Sequence, residues 1–243
     1  MGRTLVIGDI HGGLKGLKQV LDRAKISEND HLIFLGDYVD GWSQSKKTVD
    51  FLIALSRKRN CTLIRGNHDD LAYQWLSGGE MNEKWLQHGG RGTIQSYTGI
   101  TEAERKIHLE FYENLIDYHI DTKNRLFVHA GFQNLHGPEY EWHPTAYYWD
   151  RTLWEMVVAM DTSISKNHSR YPERLTNHKE IYIGHTPVTR IGEDKPTQRA
   201  NVWNIDTGAA FKGPVSIIDV DTKEFWQSDP VWKLYPDEDG RNG

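Results

Sequence analysis

The stretch TLVIGDIHGG, residues 4–13, joins a short apolar run to a polar turn that is rich in glycine. The same arrangement returns twice. An apolar run at 31–35 leads into GDYVDG (36–41), and another at 61–64 leads into RGNHD (65–69). Short apolar runs bounded by such turns are typical of strands that are buried on both faces. This part of the chain therefore contains three predicted strands, each followed at once by polar residues.

The segments between these strands have the periodicity of helices. After the first strand, apolar residues recur at helical spacing at Leu14, Leu17, Val20, Leu21 and Ala24. Residues 49–56 repeat the pattern before the third strand. A β-α-β-α-β order with units of about 30 residues predicts a parallel sheet with right-handed crossovers.

The middle of the chain changes character. Residues 70–120 have mostly helical patterns, and 125–128 form another apolar run that predicts a strand. Residues 133–178 are rich in aromatic side chains and histidines and lack clean periodicity. We interpret 70–120 and 133–178 as helical and aromatic lid segments of the same domain.

Strands resume at 180–183, 200–205 and 215–220, where alternation is looser and Gly and Pro mark the turns. These features predict a second, partly antiparallel sheet. We expect one domain over residues 1–235 and an α/β fold class. The polar end of the chain, residues 236–243, is predicted to be a disordered tail.

The bulk composition excludes several classes of protein. The 243 residues carry a formal net charge of -5 and no dense block of Lys and Arg, so a nucleic-acid partner is not expected. No apolar stretch reaches the length of a membrane span, and no apolar leader precedes the first strand, which predicts a cytoplasmic protein without a membrane partner. The composition carries no prediction of the oligomeric state.

Polar side chains of similar chemistry follow five of the predicted strands. They are Asp9, His11, Asp37, Asn67, His129 and His185. Any one of them alone is adequately explained as a turn residue or a surface histidine. Five independent turns have no reason to share this chemistry, and the carboxyl ends of strands are where ligands bind in open α/β sheets. We therefore predict that these groups converge on one site.

The donor set predicts a metal centre without thiolate ligands, because the single cysteine, Cys61, lies in an apolar run. Carboxylate, imidazole and amide oxygen suit two divalent ions: Mn²⁺ first, with Fe, Zn²⁺ or Mg²⁺ as alternatives. Six side chains exceed the need of one ion and suit two ions that share a carboxylate. Two such ions would lower the pKa of a bridging water and supply hydroxide for in-line attack on phosphorus.

The motif blocks resemble those of the calcineurin-like metallophosphoesterase superfamily, and most closely its phosphoprotein phosphatase family with bacterial and phage members. The blocks are GDIHG (8–12), GDYVDG (36–41), RGNHD (65–69), VHAG (128–131) and GHTPV (184–188), with weaker echoes in WLQHGG (85–90) and IDTGAAF (205–211). Their order and spacing both fit over about residues 4–220. The resemblance implies a four-layer α/β/β/α sandwich.

The resemblance also implies a role for each matching residue. One metal ion would be held by Asp9, His11 and Asp37. The other would be held by Asp37, Asn67, His129 and His185. His68 would be the general acid that protonates the leaving oxygen, and Asp40 would orient it, as a carboxylate does for an imidazolium. An extra metal ligand is the alternative role for His68; its position after Asn67 on an extended chain turns it away and favours the acid.

The second block departs from the family pattern. The family usually continues Asp-Arg-Gly, whereas this chain has Asp40-Gly41-Trp42, so an expected phosphate-binding arginine is missing. Arg151 resembles a second phosphate-binding arginine of the bacterial and phage members, and Arg65 is a further candidate. A guanidinium binds two phosphoryl oxygens at once. An exposed ion pair on a helix is the alternative role for Arg151.

The resemblance implies a hydrolase of phosphate esters, and we expect a serine/threonine protein phosphatase that acts on a phosphorylated protein or a small phosphoester. A symmetrical bis(5'-nucleosyl)-tetraphosphatase is the first alternative, and a non-catalytic binding scaffold is the second. The intact ligand set argues against the scaffold. The aromatic residues Trp142, Tyr147 and Tyr148 could stack on a nucleobase, although we favour a core position for them. The sequence does not decide whether His88 faces the cleft.

Overall fold

The computed structural model describes residues 2–241. Its strands are β1 Thr4–Ile7, β2 His31–Phe34, β3 Asn60–Leu63, β4 Tyr118–Ile120, β5 Arg125–Val128, β6 Glu180–Ile183, β7 Thr197–Arg199, β8 Val202–Asn204, β9 Ser216–Asp219 and β10 Phe225–Gln227. Its α-helices are α1 Leu14–Arg23, α2 Ser45–Ser56, α3 Asn67–Leu76, α4 Glu83–Trp85, α5 Arg91–Ser96, α6 Glu102–Glu113, α7 Ala146–Trp149, α8 Thr152–Ala159 and α9 Val231–Leu234. Within this range no helix is both long and apolar enough to cross a membrane. A cytoplasmic location stays a prediction.

The first sheet has the strand order β10-β9-β1-β2-β3, and β1, β2 and β3 are parallel. This arrangement confirms the predicted β-α-β-α-β unit. The assignment of 215–220 to the second sheet is wrong, because β9 pairs antiparallel with β1 in the first sheet. Strand β9 of the first sheet and β5 of the second are both buried along their whole length, so the apolar pattern of this run does not tell which sheet it joins.

The second sheet has the order β4-β5-β6-β8-β7. The strands β5, β6 and β8 are parallel, whereas β4 and β7 run antiparallel at the two edges. The prediction of a partly antiparallel second sheet is confirmed for the runs at 180–183 and 200–205. Strand β5, which was predicted separately, is the neighbour of β6.

Side-chain alternation along the strands builds the layers. In β5, Phe127 faces the first sheet and packs in one cluster with Val6 of β1 and Ile33 of β2. It also stacks on Tyr182 of the neighbouring strand β6 at a ring-centroid distance of 5.1 Å. Its neighbours Leu126 and Val128 face the opposite way. Because successive strand residues point to opposite faces, the two sheets share an inner core and each needs an outer cover of its own. The result is the expected four-layer α/β/β/α sandwich of the α/β class.

The two predicted lid segments supply these outer layers. Residues 133–178 place Leu153 and Trp154 against the outer face of the second sheet. The core positions predicted for Tyr147 and Tyr148 are confirmed, since both are buried. The core position of Trp142 is wrong, because its side chain is 83% exposed. The assignment of these segments as lids stays a prediction, as does the single domain at 1–235.

The end of the chain folds back on the first sheet's loops. The Glu238 carboxylate accepts hydrogen bonds from the backbone and the hydroxyl of Ser43, and the Arg241 amide donates to the Ala210 carbonyl. The prediction of a disordered tail is therefore wrong for 236–241, because specific hydrogen bonds hold a segment whose composition is merely polar. Residues 242 and 243 lie outside the described residues.

Candidate metal centre and its cleft

The loops that follow β1, β2, β3, β5 and β6 meet at one end of the two sheets, and they bring the six predicted ligands together. Asp37 lies at the middle of the group. One of its carboxylate oxygens is 3.5 Å from Nε2 of His11 and 3.5 Å from Nε2 of His129. The carboxylate of Asp9 lies 3.7 Å from His11 Nε2 and accepts a hydrogen bond from the backbone of His185.

Asn67 completes the second half of the group. Its side-chain oxygen is 3.2 Å from His129 Nε2 and 2.8 Å from His185 Nδ1. His185 Nε2 is buried and has no hydrogen-bond partner among the described residues. The ligand atoms form two sets, each compact enough to hold a metal ion. One set is His11, Asp37 and His68, and the other is Asp37, His129 and His185, so Asp37 belongs to both. The donor chemistry and the unpaired imidazole nitrogen therefore fit divalent metal.

Backbone carbonyls fix the direction in which the imidazoles present their lone pairs. His129 Nδ1 donates to the Leu35 carbonyl at 2.7 Å, and His11 Nδ1 lies 2.9 Å from the carbonyl of Asp40. With the proton held on Nδ1, a neutral ring keeps its lone pair on Nε2, the atom that faces Asp37. This is the outer-shell arrangement that orients histidine ligands at metal sites.

Burial and charge in this cluster favour a cation at its centre. Burial raises the pKa of Asp9 to about 7. Burial lowers the pKa of His129, but the carboxylates of Asp37 and Asp9 outweigh it and raise that pKa to about 10. Burial lowers the pKa of His185 well below its ordinary value and keeps this ring neutral. Buried carboxylates beside a neutral imidazole stabilise positive charge, and a metal ion supplies such charge.

Four site residues have a left-handed backbone conformation that non-glycine residues rarely adopt: His11, Asp37, Asp40 and His185. Each such residue costs on the order of 1 kcal/mol or more, so surrounding contacts must hold it. The buried carboxylate of Asp69 does so at the second block, accepting hydrogen bonds from the amides of Asp37 at 2.7 Å and Tyr38 at 2.9 Å. Asp69 was not predicted from the sequence as a site residue.

His68 and Asp40 form a buried pair at the edge of the metal centre. His68 Nδ1 is 2.7 Å from an Asp40 carboxylate oxygen. The same carboxylate accepts hydrogen bonds from the indole of Trp85 and the hydroxyl of Thr93, neither of which the sequence identified as a site residue. The WLQHGG echo was the only sign of Trp85.

The argument that His68 lies on an extended chain is wrong. Asn67 and His68 begin α3, and the helix start directs His68 toward Asp40. The backbone amide of His68 donates to a carboxylate oxygen of Asp37 at 3.0 Å, which ties this helix start to the metal centre. With Nδ1 engaged by Asp40, His68 has its Nε2 available to the cleft, whose lining includes this residue.

A cleft of about 750 Å³ opens above the centre. Besides four of the predicted ligands, His11, Asp37, Asn67 and His185, its lining includes Trp85, His88, Trp149, Arg151, Arg190, Asp206, Phe211 and Arg241. His88 therefore faces the cleft, which the sequence did not decide. Arg190 and Arg241 carried no local signal, whereas Phe211 is the last residue of the IDTGAAF echo.

The two arginines predicted to bind phosphate, Arg151 and Arg65, lie in different places. Arg151 lines the cleft, and its guanidinium donates to the Thr186 hydroxyl at 3.3 Å; within residues 2–241 it has no carboxylate within 4.0 Å. Arg65 lies elsewhere, 3.5 Å from the Asp117 carboxylate and bonded to the Leu115 carbonyl. These groups engage the guanidinium of Arg65 outside the cleft, and its phosphate-binding role stays a prediction.

A two-sheet α/β sandwich that gathers His and Asp side chains at the ends of its strands defines the class of metal-dependent hydrolases. The sequence profile of the calcineurin-like phosphoesterase family matches residues 2–209, and the chain belongs to this family. It is thus a metal-dependent phosphoesterase, and the family includes phosphoprotein phosphatases among its members.

Two curated relatives have comparable similarity. The chain is 26% identical to the asymmetrical bis(5'-nucleosyl)-tetraphosphatase PrpE of Oceanobacillus iheyensis, over 90% of this chain and 89% of the relative. It is 25% identical to serine/threonine-protein phosphatase 1 of Salmonella typhimurium, over 87% of this chain and 89% of the relative. Among solved structures, a protein serine/threonine phosphatase of Saccharomyces cerevisiae superimposes with a TM-score of 0.62 at 14% identity, over 95% of this chain and 83% of that chain.

Proposed function

We propose that the chain hydrolyses phosphate esters and anhydrides with two divalent metal ions, Mn²⁺ being the expected ion. Asp9, His11 and Asp37 would hold one ion, and Asp37, Asn67, His129 and His185 the other. When bound, such a pair of ions polarises a phosphoryl oxygen and lowers the pKa of a water molecule. The observation that carries the proposal is the position of Asp37, 3.5 Å from the Nε2 atoms of both His11 and His129.

The proton that the leaving oxygen requires would come from His68. The Asp40 carboxylate bonds to Nδ1 of His68, which fixes the ring and leaves Nε2 to face the cleft. The proton on Nε2 can then pass to the leaving oxygen, which departs as a neutral hydroxyl group. Arg151 would bind the phosphoryl oxygens through its guanidinium, since no carboxylate among the described residues pairs with it within 4.0 Å.

For the substrate, we propose a dinucleoside polyphosphate. Arg151 and Arg190 line the same cleft as several of the predicted metal ligands, and two guanidinium groups can bind more than one phosphate group. Trp149, which is 43% exposed, and Phe211 offer aromatic surface to a base at the cleft. The name of the Oceanobacillus relative supports this substrate class and favours asymmetrical cleavage over the symmetrical cleavage considered from the sequence.

A serine/threonine protein phosphatase, the first expectation from the sequence, is the second candidate. The Salmonella relative supports it, because its identity to this chain is within one percentage point of that of the tetraphosphatase. Both candidates would use the same metal centre and the same proton donor. They differ in what the rim of the cleft must bind: a nucleobase in one case and a peptide in the other.

The two candidates can be separated with Mn²⁺-loaded protein given diadenosine tetraphosphate or a phosphoserine peptide in parallel. We expect kcat/KM to be at least about tenfold higher for the dinucleotide, with ATP and AMP as products; two ADP molecules would instead indicate symmetrical cleavage. The Asp37→Asn variant is the matched control and should be inactive on both. Preference for the peptide would transfer the assignment to a protein phosphatase. If neither these substrates nor p-nitrophenyl phosphate is hydrolysed, the binding-scaffold alternative is correct.

A further inference from the structure

The space beside Gly41 is occupied by a side chain from the other end of the chain. Gly41 follows Asp40 in the second block, where the family pattern has an arginine, and its φ is +131°. A Cβ atom added to Gly41 would come within 3.5 Å of Cγ of Arg241. A side chain at position 41 would therefore start toward Arg241, which is 200 residues away in sequence.

The neighbouring residue Trp42 anchors the segment that carries this arginine. The ring of Tyr235 stacks on Trp42 with centroids 5.4 Å apart and planes inclined by 23°. Gly240 lies so close to the indole that a Cβ atom there would be 2.7 Å from Trp42 Cζ2. Further along the block, Ser43 bonds to the Glu238 carboxylate through its amide at 2.8 Å and its hydroxyl at 2.6 Å. Residues 42 and 43 thus bind the chain segment 235–241.

The guanidinium of Arg241 is placed for an anion in the cleft. It lies over the Phe211 ring at 5.3 Å, and the residue is part of the cleft lining together with His11 and His68. Its Nε is buried and has no hydrogen-bond partner among residues 2–241, and no carboxylate in that range is within 4.0 Å of it. A guanidinium that no carboxylate neutralises is suited to bind a phosphoryl group that enters the cleft.

The electrostatics of the cleft agree with this position. Burial lowers the pKa of His88, and the positive charge of Arg241 lowers it further. Both residues line the cleft, so the guanidinium charge acts within the cleft and not on the outer surface of the tail. A second arginine, Arg151, reaches the same cleft from the start of α8.

We propose that Arg241 binds a phosphoryl group of the substrate in the cleft, in place of the arginine that the second block lacks. Gly41 leaves room for its side chain, and Trp42 holds the segment that delivers it. Gly41 and Trp42, which stand where the family pattern has arginine and glycine, then have one explanation. The proposal rests on phosphoester hydrolysis at this centre, but it does not depend on whether the substrate is a dinucleotide or a phosphoprotein.

The test compares Arg241→Ala, Arg241→Gln and Arg241→Lys with the control Arg170→Ala, which removes an exposed arginine outside the cleft. The Mn²⁺-loaded proteins are titrated with inorganic phosphate by calorimetry, and KM and kcat are measured with p-nitrophenyl phosphate. We expect Arg241→Ala and Arg241→Gln to weaken phosphate binding by about 10- to 100-fold and to raise KM, because each variant loses a charge-assisted hydrogen bond. Arg241→Lys should recover part of the affinity, and metal content should not change.

Phosphate affinity within twofold of the wild type in both Arg241→Ala and Arg241→Gln would overturn the proposal. So would a wild-type protein that binds no phosphate. The Gln variant keeps the side-chain carbons up to Cδ, including the Cγ atom beside Gly41, so it tests the charge even where the Ala variant loosens the segment. Phosphate binding that depends on Arg241 in a protein that hydrolyses neither proposed substrate would sustain this proposal while refuting the proposed function.

Discussion

Nδ1 of His68 lies 2.7 Å from a carboxylate oxygen of Asp40, and both side chains are buried beside the metal centre. Asp40 has a left-handed backbone, and its amide is held by the Thr93 hydroxyl at 3.0 Å. The pair is therefore fixed by contacts from α3, α5 and the second block together. Such a rigid carboxylate–imidazole pair suits proton donation, because the ring needs no reorientation when the leaving group departs.

His68→Asn should lower kcat by about 10²–10⁴ on a substrate with a basic leaving group, since the proposed proton donor is lost. The loss should be smaller for p-nitrophenyl phosphate, whose leaving group needs little protonation. Metal content, measured by mass spectrometry, should stay near that of the wild type. The matched control is His136→Asn, which changes a histidine that is 75% exposed and should leave the rate unchanged. A His68→Asn protein that loses its metal would show that His68 is a ligand.

Trp85→Phe should reduce kcat by about 3- to 10-fold without changing metal content. The indole donates a hydrogen bond to the Asp40 carboxylate, and one such bond contributes about 1 kcal/mol to holding the pair in place. Trp232, which is 43% exposed, provides the control Trp232→Phe. Steady-state kinetics with unchanged KM would identify a positioning role. Equal rates in the two variants would contradict it.

Asp69→Asn should destabilise the fold by about 1–3 kcal/mol, because an amide NH₂ would replace an oxygen that now faces backbone N–H groups. Three amides donate to this carboxylate: those of Asp37, Tyr38 and Gly66. Urea unfolding of the metal-free protein measures the free energy of unfolding. The neighbouring Asp70→Asn is the control and should cost less than about 0.5 kcal/mol, as its half-buried carboxylate bonds only to Gln74 and lies 3.9 Å from Arg65. Equal losses in the free energy of unfolding for Asp69→Asn and Asp70→Asn would refute the role of Asp69 in holding these backbone amides.

Metal should also stabilise the fold. At about 100 times its Kd, a ligand that binds only the folded state adds roughly 2.7 kcal/mol to the free energy of unfolding. We therefore expect Mn²⁺ to raise the melting temperature of the wild type and a chelator to reverse the shift. The Asp37→Asn protein should show little shift. A melting temperature that does not respond to metal in the wild type would count against a preformed site.

The parts of this fold that the sequence predicts are those with a local signal. Short apolar runs mark the buried strands, and the polar residues directly after them mark the centre, since parallel strands end at a common edge. Asp69 and Asp70, acidic residues in the first turn of α3, indicate that a helix begins at Asn67. That signal was available and would have corrected the extended-chain argument for His68.

Long-range pairings left no such signal. Strand β9 joins the first sheet although it follows strands of the second, because its apolar run fits either sheet. The segment around Arg241 has the polar composition of a disordered tail, and its order depends on Trp42 and Ser43 at the other end of the chain. Arg65 appeared suitable from its motif, but Asp117 and Leu115, about 50 residues later, engage its guanidinium.

The content of bound metal tests the central claim most directly. Protein purified without added metal, then loaded with Mn²⁺ and dialysed, should hold about two ions per chain, because the two ligand sets share Asp37. The Asp37→Asn variant should hold close to none while keeping its circular dichroism spectrum. Fewer than about 0.2 ions per chain in the wild type, or an unchanged metal content in folded Asp37→Asn, would contradict a metal centre built around this carboxylate.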